Sequence, residues 1–153
     1  MKLLIERDRL LNLLIPVTSV VERRQTLPIL ANVLVQLESN TLTLVGTDLE
    51  VEASIQAEAL KGTDGQCTVA ARKLLDICKA LPEQANIELE MGDGRLKVRS
   101  GRSRFSLQTL AAADFPRLET DNWEERVQLE QSALRHFSTK PLSLWPSRTY
   151  GIF

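Results

Sequence analysis

The chain has 153 residues, 43% of them hydrophobic and 25% charged, which excludes disordered, collagen-like and membrane classes and suits one domain that buries a core without metal or disulfide staples. Nineteen Lys and Arg against 20 Asp and Glu leave a net charge of −1, so nucleic acid is not held by bulk charge and any such contact needs a local basic surface. Two cysteines, Cys67 and Cys78, and the single distant His136 make neither a disulfide framework nor a zinc quartet.

The opening Lys2 to Glu6 reads as a short strand, and Leu10, Leu13, Leu14, Val17, Val20 and Val21 then recur at helical spacing over about four turns. Thr26-Leu27-Pro28-Ile29-Leu30 is expected to be extended, because Pro28 pushes Leu27 out of helical geometry. Three strands follow, Asn32 to Glu38, Thr41 to Val45 and Leu49 to Ala57, with turns at Ser39-Asn40 and Gly46-Thr47-Asp48. The pattern restarts with a strand at Cys67 to Ala70 and a helix from Arg72 to Leu81, closed by Pro82. Strands from Asn86 to Met91, Arg95 to Ser100 and Ser103 to Gln108 complete it, separated by Gly92-Asp93-Gly94 and Gly101.

Strand, helix and three strands thus occur twice. Arg9-Leu10-Leu11-Asn12-Leu13 is similar to Lys73-Leu74-Leu75-Asp76-Ile77, 64 residues on, whereas Leu42/Leu44 and Val51/Ala53 match Leu96/Val98 and Phe105/Leu107, 54 residues on. The changed offset fits a shorter connection in the second copy. Two such halves predict a pseudo-symmetric α+β domain with helices packed on antiparallel sheets; coincidence among leucine-rich helices is the alternative.

Candidate chemistry is sparse. Asp48, Glu50 and Glu52 alternate and on a strand would share one face, either for a divalent cation or, as half-buried strands normally read, as a solvated face opposite Leu49, Val51 and Ala53. Ser100-Gly101-Arg102-Ser103 is neither a P-loop nor a nucleophile elbow, and His136, with no Ser or Cys partner, reads as a surface residue near a helix start. Cys67 and Cys78 read as core residues of a reducing compartment. Glu6 and Arg7 interrupt the N-terminus before a secretory segment could form, and no apolar run approaches a membrane span, so the expectation is a cytoplasmic, non-catalytic protein without cofactor or metal.

The unusual stretch runs from Arg95 to Leu107. Between 95 and 104 it carries five basic residues and no acid. On a hairpin, Arg102 and Arg104 fall on one face and Phe105 and Leu107 on the other. This reads equally as an edge that receives an acidic, apolar-centred partner strand and as a solvated basic hairpin that discourages aggregation. A weaker basic signal, Arg72, Lys73 and Lys79 with Arg23-Arg24, could touch phosphates without reading bases or simply form a solvated helix face.

Five ordered blocks carry a resemblance: 24–32 (Arg-Gln-Thr-Leu-Pro-Ile-Leu-Ala-Asn), 44–50 (Leu-Val-Gly-Thr-Asp-Leu-Glu), 71–77 (Ala-Arg-Lys-Leu-Leu-Asp-Ile), 100–107 (Ser-Gly-Arg-Ser-Arg-Phe-Ser-Leu) and 112–116 (Ala-Ala-Asp-Phe-Pro). In this order and spacing, from residue 1 to about 137, the chain resembles the bacterial sliding clamp family, the beta subunit of DNA polymerase III. The resemblance implies the DNA-clamp fold, in which each domain has two strand-helix-three-strand halves. In that family three such domains form a chain, and two chains meet head to tail in a homodimeric ring around duplex DNA, without sequence specificity, tethering the polymerase. Such a clamp is non-catalytic, although polymerase labels attach to its holoenzyme. Carried onto this sequence, the resemblance implies DNA contacts for Arg24 and Arg72, with Lys79 a weaker candidate. It implies a subunit interface for Lys73, Arg102, Arg104, Phe105 and Leu107, which Arg95 joins.

On this reading residues 1–120 are the first clamp domain, 121–137 a linker and the start of a second, and 138–153 a non-homologous, disordered tail. That tail holds two of the six prolines, three of the seven aromatics and no acid, and resembles nothing in the family. A frameshift or gene truncation is the expectation, checked by second-domain sequence in another reading frame past codon 137. The fragment is then expected not to close a ring by itself and to lack the cleft that clamp loader and polymerases bind. Alternatively it is a stand-alone module that caps the third domain of a full-length clamp.

Overall fold

A computed structural model describes residues 1–21, 27–118 and Ser132. Its elements are β1 (Lys2–Glu6), α1 (Arg7–Val20), β2 (Asn32–Glu38), β3 (Thr41–Thr47), β4 (Glu52–Glu58), β5 (Lys61–Thr63), β6 (Gly65–Ala70), α2 (Ala71–Ala80), β7 (Asn86–Gly92), β8 (Arg95–Ser100) and β9 (Ser103–Leu110). Strand, helix and three strands appear twice, with β5 between the copies. The helices begin at 7 and 71, 64 residues apart, and the next strands at 32 and 86, 54 residues apart. The shortening therefore lies in the helix and the connection after it. α1 has 14 residues and α2 has 10.

The halves are not separate. All strand pairs are antiparallel in the order β4-β3-β2-β6-β9-β8-β7-β1-β5. Each half lends its first strand to the other: β1 pairs with β7 from Lys2↔Glu90 to Glu6↔Asn86, and β6 pairs with β2 from Asn32↔Ala70 to Leu37↔Gly65. Neither half could complete its sheet alone.

Alternation on these strands sets the core. Leu3 and Ile5, Val33, Val35 and Leu37, Leu42 and Leu44, Ile87 and Leu89, and Leu96 and Val98 all point to the helix side and are buried. Against them lie Leu10, Leu13, Leu14 and Val17 of α1 and Leu74, Leu75 and Cys78 of α2. α1 sits so close to β3 that a Cβ at Gly46 would fall 2.8 Å from Val17 Cγ1. Cys67 and Cys78 are buried free thiols in this core, and burial pushes them up to about 11 and about 12, so neither is a reactive thiolate.

The two sheets join where β9 meets β6, through only Thr68↔Leu110 and Val69↔Thr109. The fully buried Thr68 hydroxyl strengthens this seam. It donates to the Leu110 carbonyl at 3.0 Å, and receives the Leu110 N–H at 3.2 Å and the Asn32 side-chain amide at 3.1 Å.

Two local expectations need correction. Leu27 is extended as Pro28 demands, but Pro28–Ala31 turn into a short 3₁₀ helix, proline supplying the φ of its first position. The strand expected from Leu49 starts at Glu52. Asp48 Oδ1 accepts the N–H groups of Glu50 and Val51 at 2.9 and 2.7 Å, and Leu49 takes φ 79°, so residues 48–51 are a side-chain-capped turn. Those two N–H groups, Val51's foremost, hold the Asp48 carboxyl below its ordinary range. Leu49 and Val51 are exposed, whereas Glu52 is drawn inward and forked by Arg117 Nε and Nη2 at 3.0–3.2 Å. The three acids share neither a cation site nor a solvated strand face.

The segment after β9 crosses the outer side of β2 and β3, where Phe115 is buried against Leu34 and Val45. Met1–Leu118 form one compact unit. The tail expectations at 138–153 and His136 lie outside the described residues. No helix among the described residues is long and apolar enough to cross a membrane.

Replacing Thr68 by Val keeps shape and strands the Asn32 amide and the Leu110 groups. The expected cost is about 1–3 kcal/mol, read as a fall in the denaturant midpoint at unchanged slope. An unchanged midpoint would show that the seam does not depend on the hydroxyl.

Candidate functional site

Two surfaces collect the basic residues singled out in the sequence. The first is the outward face of α2. Arg72 and Lys79 lie seven residues apart, close to two full helical turns, so both stand on one exposed stripe, with Asp76 between them. Lys73 is exposed on the neighbouring stripe and makes no ion pair among the described residues. Arg24 lies outside the described residues.

Arg72 also has a structural contact. Its Nη2 donates to the carbonyl of Val21, the residue that caps α1, at 3.5 Å. The reciprocal contact is tighter: Arg7, in the first turn of α1, donates from Nε to the Cys78 carbonyl at 2.9 Å and from Nη2 to the Lys79 carbonyl at 3.4 Å. Each helix thus uses a first-turn arginine to satisfy carbonyls at the end of the other. Arg7 is braced by Asp8, whose second oxygen accepts the Gln84 N–H at 3.2 Å. These two contacts, Arg7's first, hold the Asp8 carboxyl below its ordinary range. Sequence reading missed Arg7, because no local spacing shows that its partners lie 71 and 72 residues away.

The second surface is the β8–β9 hairpin. Its turn is Gly101-Arg102, with Gly101 at φ 54°, a conformation that favours glycine. Arg102 therefore sits on the turn tip, not on a strand face. Register assigns the rest: Leu107 faces Leu96 and Phe105 faces Val98, on the helix side, while Arg104 faces Arg99 and Gln108 faces Arg95 on the outer side. Leu107 packs against the core, and Phe105 remains 37% exposed.

The backbone of this hairpin shows which side is open. Thr109 N–H bonds the Gly94 carbonyl at 3.1 Å and Leu110 N–H turns the other way, to Thr68. Alternation then directs the N–H and C=O groups of Arg104, Ser106 and Gln108 away from β8. β6 takes up the last two residues of β9, a pairing that engages the Gln108 carbonyl, so the groups of Arg104 and Ser106 with the Gln108 N–H form a free sheet edge among the described residues. Arg104 stands above it on one face and Phe105 below it on the other. The structure does not bring Arg72, Lys73 or Lys79 into hydrogen bonds or ion pairs with this hairpin.

The sequence reading also passed over Arg99. The signal was present: a two-residue turn at 101–102 places 99 opposite 104. Among the described residues no cluster of three or more His, Cys, Asp or Glu is gathered for a metal.

Residues 1–119 match the family model described as DNA polymerase III beta subunit, N-terminal domain. The beta sliding clamp of Pseudomonas putida is 50% identical over 133 residues, covering 86% of this chain and 36% of the relative. Among solved structures, Caulobacter crescentus pol III beta superposes with a TM-score of 0.84 at 42% identity, over 88% of this chain and 36% of that one. The Pseudomonas aeruginosa sliding clamp gives a TM-score of 0.76 at 49% identity, over 78% of this chain and 32% of that one. The chain spans about a third of the length of the relatives it matches.

Replacing Arg7 by Ala removes charge-assisted bonds from half-buried carbonyls, with an expected loss of about 1.5–3 kcal/mol in denaturant unfolding. The single long contact of Arg72 predicts a much smaller change for Arg72→Ala in the same measurement. Equal losses would make Arg72 a structural cap of the same rank.

Proposed function

Because the chain belongs to the DNA polymerase III beta subunit family, we propose that its first 118 residues serve as one domain of a DNA-encircling processivity clamp. The observation that carries this reading is the open β9 edge, with cations above and an exposed aromatic below, in a chain 50% identical to the Pseudomonas putida clamp over 133 residues. A ring that encloses duplex DNA needs little contact energy per phosphate and must slide. Near-zero net charge with a sparse basic helix stripe suits that task. The role is non-catalytic: the domain topologically retains a polymerase on its template, in the bacterial cytoplasm.

Within this reading the helix layer faces DNA. Arg72 and Lys79 touch backbone phosphates, and Arg24 joins them from the 22–26 segment. The β9 edge meets another clamp subunit head to tail. Arg102 and Arg104, with Arg95 and Lys73 at the periphery, engage its acids, and Phe105 and Leu107 supply the apolar centre. An added strand pairs with the backbone of residues 104, 106 and 108. Clamp loader and polymerase contacts belong to the assembled clamp.

The same edge favours a second reading, in which the chain caps the corresponding surface of a full-length clamp and blocks ring closure. Clamp loading onto circular DNA separates the two: inhibition by added chain supports the cap, and incorporation into DNA-retained rings supports the ring component.

Ser106→Pro tests the shared premise. The Ser106 N–H points away from β8, so proline removes no bond of the folded chain but blocks an added strand. The expected result is an unchanged melting temperature together with loss of binding to full-length Pseudomonas putida clamp. Arg104→Glu should weaken the same binding, and wild-type affinity in both variants would refute the edge as the contact.

A further inference from the structure

The edge reading leaves Lys97 and Arg99 of the basic run without a role, and of these Arg99 has the distinctive setting. Arg99 lies directly opposite Arg104, in a pair that exchanges no backbone hydrogen bonds, where strands approach closely enough to bring side chains together. Like charges so placed repel. The acids nearby do little to relieve them. Glu88 is committed to Lys2 at 2.6 Å, a contact that holds the Glu88 carboxyl below its ordinary range, and Glu90 reaches Arg99 only at 3.6 Å. Arg104 has no ion pair among the described residues. Both arginines border a depression of about 360 Å³ on the outer face, which extends from them across β8 and β7 to Leu4, Asn86 and Glu88.

We infer that Arg99 and Arg104 form a fork for one carboxylate, delivered by an acidic side chain of the strand that docks on the β9 edge; this rests on the edge reading above. A strand pairing with residues 104, 106 and 108 alternates its side chains between the two sheet faces, as any strand does. An acidic outer-face side chain beside Arg104 reaches inward across β9, where its carboxylate can accept from both guanidinium groups at once. An acid at that position relieves the Arg99–Arg104 repulsion, whereas an apolar or basic residue there leaves Arg104 unpaired and Arg99 with only its long contact to Glu90. Arg99 is thus a specificity residue, selecting for an acid at one register position of the partner. A free phosphate shares the oxyanion chemistry but lacks the backbone pairing, and competition distinguishes it.

The test is equilibrium binding of the whole chain to full-length Pseudomonas putida clamp, alongside melting temperatures of the free variants. Arg99→Gln is expected to weaken binding about tenfold and flatten its salt dependence, while leaving the free chain as stable or slightly more so, because a repulsion is removed. Arg99→Lys keeps the charge without the fork and should fall between. The Arg99→Gln and Arg104→Gln losses should be less than additive, because both residues act on one carboxylate. Lys61→Gln, farther across the same face, should bind as wild type, and inorganic phosphate at millimolar concentration should compete only weakly. If Ser106→Pro abolishes binding but Arg99→Gln matches wild type, the fork is overturned and the edge reading stands. If Ser106→Pro binds normally, the edge reading itself fails. Strong competition by phosphate would identify a free-anion site instead.

Discussion

The exchange of first strands between two similar halves is the constraint on which the rest of this fold depends. β1 and β6 each complete the sheet of the half to which they do not belong, so the inward side chains of both halves fall into one core. The helices repeat that reciprocity, each offering a first-turn arginine to carbonyls at the other's end. Long-range pairing of this kind gives a single core from a duplicated pattern. It also fixes where the two sheets touch and where they part.

Their parting creates the functional edge. β6 is fully paired with β2, and it accepts β9 over two residues before the strands diverge. The remaining length of β9 thus carries backbone groups with no partner in the described chain. A free edge is ordinarily an aggregation hazard, managed by charge. Here the outer-face charges of β8 and β9 are all of one sign, while the opposite face shows an aromatic residue. That asymmetry admits a partner strand with acids on one side and apolar residues on the other, and discourages a second copy of the same edge, which would bring arginines together.

Much of this architecture was legible in the sequence. Apolar residues at helical spacing placed both helices, and β1, β2 and β8 run between the residues that alternation and turn chemistry mark. The offset change from 64 to 54 located the shortened connection. What the sequence did not disclose was non-local. Nothing near Lys2 shows that its strand pairs with residues near 90, and nothing near Arg7 names Cys78 as its acceptor. The alternating Asp48, Glu50 and Glu52 suggested a strand because periodicity does not reveal that Asp48 bonds the two N–H groups ahead of it. In the hairpin the residue types were visible early. Only register separated Arg102 at the tip from Arg104 on the outer face and put Arg99 beside it.

Residue-resolved amide exchange of the whole chain, alone and with full-length Pseudomonas putida clamp, tests the free edge most directly. In the isolated chain the amides of Arg104, Ser106 and Gln108 should exchange fast and those of Phe105 and Leu107 slowly, with the fast set becoming protected on adding the clamp. Uniform protection along β9 in the isolated chain, or fast exchange at 104, 106 and 108 that persists in the complex, would contradict an edge built to receive a partner strand.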